Sequence, residues 1–192
     1  LVVSPWQTPL QGLLKLVAGK NLVSDVVFSN AKDISGEIAR LRARLTSWEI
    51  DRFRALGRQC AEVISATSLA VRPGMSEFEL AAILGGEAQR RGIQPIVNMI
   101  AVDERNYHYR HPLPTARKLD RYALIGLNGR QRGLVCSISR LIHFGKPPEN
   151  LQRRILATAR VNATLIANSQ PGQLLRDILA RGQEAYTREG FT

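Results

Sequence analysis

Apolar residues recur at helical spacing in four long stretches of the chain. One stripe contains Leu56, Cys60 and Val63, and it predicts a helix that begins near Thr46 and ends before Arg72. The same spacing predicts long helices over residues 77–91, 149–167 and 174–188, and shorter helices over residues 10–17 and 34–45.

Polar residues mark the starts of two of these helices. Thr46 is followed three positions later by Glu49, and Ser76 is followed in the same way by Glu79. In this pattern the hydroxyl accepts a hydrogen bond from a free backbone N–H, and the carboxylate accepts one from the backbone of the hydroxyl residue. Both pairs therefore predict capping boxes, and Gly92 predicts the C-terminal end of the second helix.

Short runs of apolar and β-branched residues predict strands between the helices. They cover residues 22–28, 96–102, 122–127 and 134–144. Asn128-Gly129 predicts the turn of a hairpin between the last two strands, with the basic stretch 130–132 at its tip. Residues 103–118 are expected to form a polar loop rich in tyrosine and histidine.

The order of the elements contains one internal repeat. A long helix, Pro73-Gly74 and a second helix are followed by strands. A long helix, Pro171-Gly172 and a second helix recur 98 residues later, without strands after them. A duplication explains this repeat, and the alternative is that a common helix connection occurs twice by chance.

Composition restricts the class of protein. The 192 residues, 44% of them apolar, allow one full domain or one domain plus part of another. Residues 1–45 bury too little to fold alone, so we assign them to the tail of a preceding domain and its linker. There is no run of about 18 apolar residues, so we expect no membrane span. The net charge of +11 is spread along the chain rather than concentrated in one block, which argues against a nucleic-acid partner.

The two cysteines, Cys60 and Cys136, are too few for a disulfide framework and form no CxxC zinc pair. We interpret them as reduced thiols and expect a cytoplasmic protein. The chain begins at Leu1 rather than Met, and we interpret it as a fragment or a processed product.

Three segments together resemble one known family. Residues 72–79 (RPGMSEFE) are similar to its helix connection, and residues 133–140 (GLVCSISR) resemble its G-Y-x-x-D-[IL]-T-R strand. His111-Pro112-Leu113-Pro114 resembles the segment around the histidine that precedes its first metal-ligand strand. The family is the M24 peptidases, which include creatinase, prolidase, aminopeptidase P and methionine aminopeptidase.

The resemblance implies an α/β fold in the α+β sense, known as the pita-bread fold, with helices on one face of a curved, mainly antiparallel sheet. Residues 46–192 would form the N-terminal half of the catalytic domain, truncated at its C-terminal end. Residues 1–45 would end the smaller N-terminal domain of creatinase-like members. The pseudo-twofold symmetry of this fold would also account for the internal repeat.

The resemblance also shows which metal ligands are replaced. Active members hold two divalent ions with two aspartates, one histidine and two glutamates. The two aspartate positions fall at Gly126 and Ser137 or, with the alignment shifted by two residues, at Asn128 and Ser139. None of these residues supplies a carboxylate, so we predict no metal ligand and no evident cofactor here. The other ligands of the family come after residue 192, and a divalent metal in the complete protein stays an open alternative.

His111 is the catalytic candidate that the resemblance implies. Creatinase cleaves a C–N bond without metal, and a histidine at the His111 position acts there as acid and base. Imidazole suits this role because its pKa lies near neutrality. We expect His111 and His108 to bind the substrate. The alternative is that His111 is a structural loop histidine followed by Pro112.

Two functions of different classes follow. The first is a creatinase- or Xaa-Pro-aminopeptidase-like hydrolase of a peptide or amidine-type C–N bond, metal-independent or metal-deficient, acting on a small molecule or peptide. We expect it to form a homodimer, as creatinase-like relatives commonly do. The second is a non-catalytic pita-bread protein that binds a protein or RNA partner, which the missing aspartates and the positive charge favour. A truncated product without activity is the remaining alternative.

Overall fold

A computed structural model of the chain describes residue 7 and residues 9–28 and 30–191. The chain divides into two compact units, Leu1–Ala55 and Leu56–Thr192. This division falls inside a long helix, and the domain boundary at residue 45 stays a prediction. The start of the tail that we assigned to residues 1–45 lies outside the described residues.

The first unit contains short elements and the beginning of a long helix. Its complete elements are α1 (Pro9–Val17), β1 (Val23–Ser24), β2 (Lys32–Asp33) and α2 (Ser35–Ala43). The two strands pair in parallel. The strand predicted over residues 22–28 is wrong beyond these two residues, since Val26 and Val27 are exposed and pair with nothing among the described residues. An apolar run forms a strand only where a neighbouring strand pairs with it and a core buries its side chains.

Two helices cover one side of the second unit, and both predicted capping boxes are confirmed. They are α3 (Ser47–Ala70), whose first turns belong to the first unit, and α4 (Glu77–Arg90). The Glu49 N–H donates to the Thr46 hydroxyl at 3.2 Å, and the Thr46 N–H donates to the Glu49 carboxylate at 2.8 Å. Ser76 and Glu79 repeat this geometry at 3.2 and 2.7 Å. The Ser76 N–H lowers the pKa of the Glu79 carboxyl below its ordinary value.

The sheet has three antiparallel strands in the order β3-β4-β5. They are β3 (Gln94–Val102), β4 (Tyr122–Gln131) and β5 (Leu134–His143). Alternate residues of β4, among them Ile125 and Leu127, are buried against the helices. The core that results joins α3, α4 and the sheet: Leu56, Cys60, Val63, Ile64, Val71, Leu80, Leu84, Ala88, Ile93, Ile100, Val102, Leu119, Ala123, Ile125 and Leu127.

The hairpin turns later than the sequence predicts. Asn128 and Gly129 lie inside β4, opposite Ser137 and Cys136, and so the predicted turn is wrong. The chain reverses at Arg132-Gly133, where φ is +49° and +83°. Gly129 is needed for packing rather than for a turn, because a Cβ there would lie 2.7 Å from the Cys60 Sγ.

Three further helices complete the second unit. They are α5 (Arg105–His108), α6 (Glu149–Asn168) and α7 (Leu175–Arg188). The sequence predicts α6 and α7 but not the single turn of α5, which lies in the expected loop. Both Pro-Gly connections have a left-handed glycine, with φ of +87° at Gly74 and +86° at Gly172. No helix among the described residues has the length and apolar character needed to cross a membrane.

The two cysteines lie side by side across the helix–sheet interface. Cys60 is fully buried on α3, and Cys136 is partly buried on β5. Burial, together with the neighbouring Cys136 thiol, raises the pKa of Cys60 from 9.0 to about 12. The fold therefore favours the neutral thiol. The contribution of this thiol to the free energy of unfolding is complete below pH 9. It is lost as the pH rises from 9 towards 12, because in this range the unfolded chain releases the thiol proton and the folded chain keeps it.

We predict that the two thiols react at very different rates. The thiolate is the reactive form, so at pH 8 a disulfide reagent labels Cys136 and spares Cys60 until the chain is unfolded in urea. Time-resolved labelling, counted by intact mass, measures this, and Cys136→Ser is the control that removes the fast reaction. Rapid labelling of both thiols in the folded chain would contradict the packing.

We predict that Gly129→Ala destabilises the fold by about 1–3 kcal/mol, because its methyl group overpacks the interface between Cys60 and the branched Ile93. Gly126→Ala is the matched control on the same strand. Its Cβ would meet Met99, at 3.3 Å from the flexible Cε, 3.5 Å from the Cβ and 3.7 Å from the carbonyl oxygen, and all three contacts are longer than the 2.7 Å one at Gly129. Urea unfolding of both variants measures the difference, and equal losses would contradict this account.

Candidate functional site

The side of the sheet away from α3 and α4 brings together both alternative pairs of positions that the resemblance assigns to the two replaced metal ligands. In the hairpin register, Gly126 lies opposite Ser139, and Asn128 lies opposite Ser137. Side chains alternate along a strand, so these four residues share one face. We call this the open face, and it also contains Met99, which lies opposite Gly126 on β3.

Met99 covers the position of Gly126. A Cβ on residue 126 would lie 3.3 Å from the Met99 Cε and 3.5 Å from the Met99 Cβ. Gly126 is buried, whereas Asn128 is half-buried and both serines are exposed. The thioether side chain therefore occupies the space into which a longer side chain at residue 126 would extend.

The residues of the open face do not fit a pair of divalent ions. Two dications held close together need anionic ligands, and carboxylates are the ones that hard ions prefer. Asn128 offers a neutral amide oxygen, and Ser137 and Ser139 offer hydroxyls. Among the described residues, no group of three or more His, Cys, Asp or Glu side chains converges as a metal site would require.

His108 and His111 lie on one exposed loop between β3 and β4. His108 ends α5, and His111 follows three residues later, just before the buried Pro112. Within the described residues neither imidazole makes a hydrogen bond or an ion pair, so both are open to a ligand. The structure places the two histidines on the same loop but shows no contact between them and the four positions of the open face.

Asp103 closes the base of this loop. Its backbone N–H donates to the Tyr122 carbonyl at 2.7 Å. Its carboxylate accepts from the backbone N–H groups of Asp120, Arg121 and Tyr122, each at 2.9 Å. Asp103 has φ of +49°, a left-handed conformation that aspartate tolerates better than most residues. The carboxylate thus ties the end of β3 to the beginning of β4.

Glu77 is a second buried anchor, and the sequence analysis missed it. Its side chain is 0% exposed, and its carboxylate accepts four hydrogen bonds. One oxygen accepts from Val102 N at 2.9 Å and Arg105 Nε at 2.8 Å. The other accepts from Thr115 N at 2.8 Å and Thr115 Oγ1 at 2.6 Å. The only signal in the sequence was an acidic first residue of a helix, which is normally exposed.

A cavity of about 280 Å³ lies beside this loop and α6. Tyr107, Tyr122 and Arg154 are among its lining residues, and His111 is not. The rings of Tyr107 and Tyr122 are 6.2 Å apart, and burial raises the pKa of Tyr122. The cavity supplies no acid or base next to His111, so it does not extend the site.

A comparison with known protein families assigns this chain to one of them. The model of metallopeptidase family M24 matches residues 51–192. The chain belongs to the M24 family. No curated protein matches it.

The solved structures that resemble this M24 chain include three peptidases, each 16% identical to it. For the prolidase from Pyrococcus horikoshii the TM-score is 0.83, with 94% of this chain and 57% of that chain covered. For a dipeptidase from Mycobacterium ulcerans the TM-score is 0.81, with 93% of this chain and 53% of that chain covered. For the X-Pro aminopeptidase from Thermotoga maritima the TM-score is 0.76, with 83% of this chain and 46% of that chain covered. The chain spans about half the length of these proteins.

These likenesses confirm the fold that the sequence implies. The M24 chain has helices on one face of an antiparallel sheet, and its structural neighbours cover it almost completely while extending well beyond it. At this identity they support the fold alone. The roles of His111 and His108 and of the four replaced positions stay predictions.

We predict that Mn²⁺ or Co²⁺ leaves the melting temperature of this M24 chain unchanged, because the open face lacks carboxylates. The variant Asn128→Asp with Ser137→Asp places two carboxylates directly opposite each other, which costs about 0.2–1 kcal/mol without metal. A divalent ion should then stabilise this variant, since it binds only the folded state. Thermal melts with metal and with EDTA test both statements, and stabilisation of the unmodified chain by metal would contradict the first.

Proposed function

We propose that this M24 chain is part of a hydrolase that cleaves a C–N bond, of the peptide or amidine type, in a small molecule or peptide. Membership of a peptidase family over residues 51–192 supports the hydrolase class. The similar structures named as prolidase, dipeptidase and X-Pro aminopeptidase favour a peptide substrate.

The proposal includes chemistry that is metal-independent or metal-deficient in this member. The observation that carries it is the open face, where the hairpin register groups both alternative pairs of replaced ligand positions, and none of the four residues holds a carboxylate. Met99 adds to this, because it fills the space beside Gly126. The activation of water must then come from a side chain.

His111 is the residue we propose for that step. Its imidazole would accept a proton from the water that attacks the carbon of the C–N bond and would return that proton to the leaving nitrogen. Imidazole is a side chain suited to both proton transfers at physiological pH. His108, three residues earlier on the same loop, is proposed to bind the substrate. We also propose a cytoplasmic homodimer, on the reduced thiols and the family's common assembly.

A non-catalytic protein that binds a protein or RNA partner is the second candidate. The open face without carboxylates and the net charge of +11 are the observations that support this candidate. Binding of RNA through its phosphates would fall steeply as salt rises, because it releases counterions.

We predict that His111→Ala abolishes hydrolysis by the complete protein, with a loss of at least about a hundredfold expected for a general acid–base group. Xaa-Pro dipeptides and guanidino acids are the substrates, with EDTA present and product amines counted by mass spectrometry. His143→Ala is the matched control, since His143 lies at the end of β5, where its ring packs 6.3 Å from that of Tyr122. Unchanged turnover in His111→Ala would overturn the assignment of His111. No turnover by the unmodified protein, together with salt-dependent RNA binding, would favour the second candidate.

A further inference from the structure

The two oxygens of Glu77 hold the two stems of the loop that carries His111. One oxygen accepts from Val102 and Arg105, on the stem that precedes the histidine. The other accepts twice from Thr115, on the stem that follows it. One buried carboxylate thus closes the segment 106–114, which lies between Arg105 and Thr115.

Arg105 extends this anchor to both sides of His111. Its Nε donates to Glu77 at 2.8 Å, and its Nη2 donates to the Leu113 carbonyl at 2.9 Å. Its guanidinium also lies over the Tyr109 ring, 4.8 Å from the ring centroid. Tyr109 and Leu113 are two residues before and two residues after His111, so the guanidinium touches both flanks of the histidine.

We propose that Glu77, acting through Arg105, is the positioning residue for His111. The proposal rests on the proposed function, in which His111 moves the proton. Glu77 touches no substrate in this scheme. Its charge holds the 106–114 segment in one arrangement, so that the imidazole meets the substrate in a fixed geometry. Such preorganisation matters because a misplacement of about 1 Å can slow catalysis about a hundredfold.

The chemistry of the anchor supports positioning over stability alone. A buried ion pair can often be replaced by apolar residues of similar volume without loss of stability. Only an ionised carboxylate can accept all four hydrogen bonds, because an amide would turn one oxygen into a donor facing other donors. Four donors from two distant segments specify one loop conformation, which an apolar contact would not do.

The test uses the full chain with the variant Glu77→Gln and the control Glu79→Gln. Both replace a carboxylate at the N-terminus of α4. Among the described residues, the hydrogen bonds of the Glu79 carboxylate go to Ser76 of the capping box, outside the segment 106–114. Thr115→Val is a milder second variant. It removes the 2.6 Å hydrogen bond from the Thr115 hydroxyl to Glu77 and the 3.2 Å one that this hydroxyl accepts from the Arg117 N–H, and it keeps the other three hydrogen bonds of Glu77. If Glu77→Gln does not fold, Thr115→Val still tests the proposal.

The first readout is amide hydrogen exchange of residues 106–114, measured well below the melting temperature. We expect Glu77→Gln to speed exchange there about tenfold or more while β4 stays protected, and Thr115→Val to speed it several-fold. Glu79→Gln should lower the melting temperature without changing exchange in the loop. Unchanged loop exchange in both Glu77→Gln and Thr115→Val would overturn the proposal whether or not the protein is a hydrolase.

The second readout separates positioning from a merely structural role. We expect kcat of the loosened variants to fall about tenfold to a hundredfold with KM changed less, and Glu79→Gln to keep both values. If His111→Ala abolishes turnover but the loosened variants keep full kcat, positioning is overturned and the proposed function stands. If His111→Ala keeps full turnover, the proposed function fails, and the positioning proposal fails with it even where the loop is loosened.

Discussion

The alternation of side chains along β4 is the constraint on which the rest of the second unit depends. Ile125, Leu127 and Gly129 face the helices, and their burial sets which residues can face the other way. A shift of one residue would bring Gly126 and Asn128 into the core and expose the leucine and isoleucine. The alternation along β4 therefore determines both how α3 packs against the sheet and which residues lie on the open face.

The same constraint explains how the hairpin keeps its geometry with uncharged residues on the open face. The register depends on the core-facing residues, and these are apolar as the fold requires. The open-face residues contribute little to it, so serine, asparagine and glycine are accommodated there. Met99 fills the space that the glycine leaves, which makes the contact between β3 and β4 apolar at this point.

Two buried or partly buried carboxylates connect this sheet with the loop above it. Asp103 joins the end of β3 to the beginning of β4, and Glu77 joins the start of α4 to both stems of the loop. The hydrogen-bond donors of both carboxylates lie at least 17 residues away in the sequence. The loop that carries both candidate histidines is thus fixed by the scaffold, as is usual where a loop carries function.

The sequence by itself determined the long helices, both capping boxes and the order of the long helices and strands, because these depend on periodicity and on residues three or four positions apart. Its likeness to the M24 family rests instead on three short motifs, at residues 72–79, 111–114 and 133–140. It failed where a distant partner decides. Asn128-Gly129 has the composition of a turn, yet tertiary packing places Gly129 in β4, since only a residue without a Cβ fits against Cys60 and Ile93. Glu77 has the composition of an exposed first helical residue, yet the fold buries it, since Arg105 and Thr115 supply its hydrogen bonds from 28 and 38 residues away. Only the tertiary structure brings such partners together, and hydrogen bonds between distant residues leave no periodic pattern in the chain.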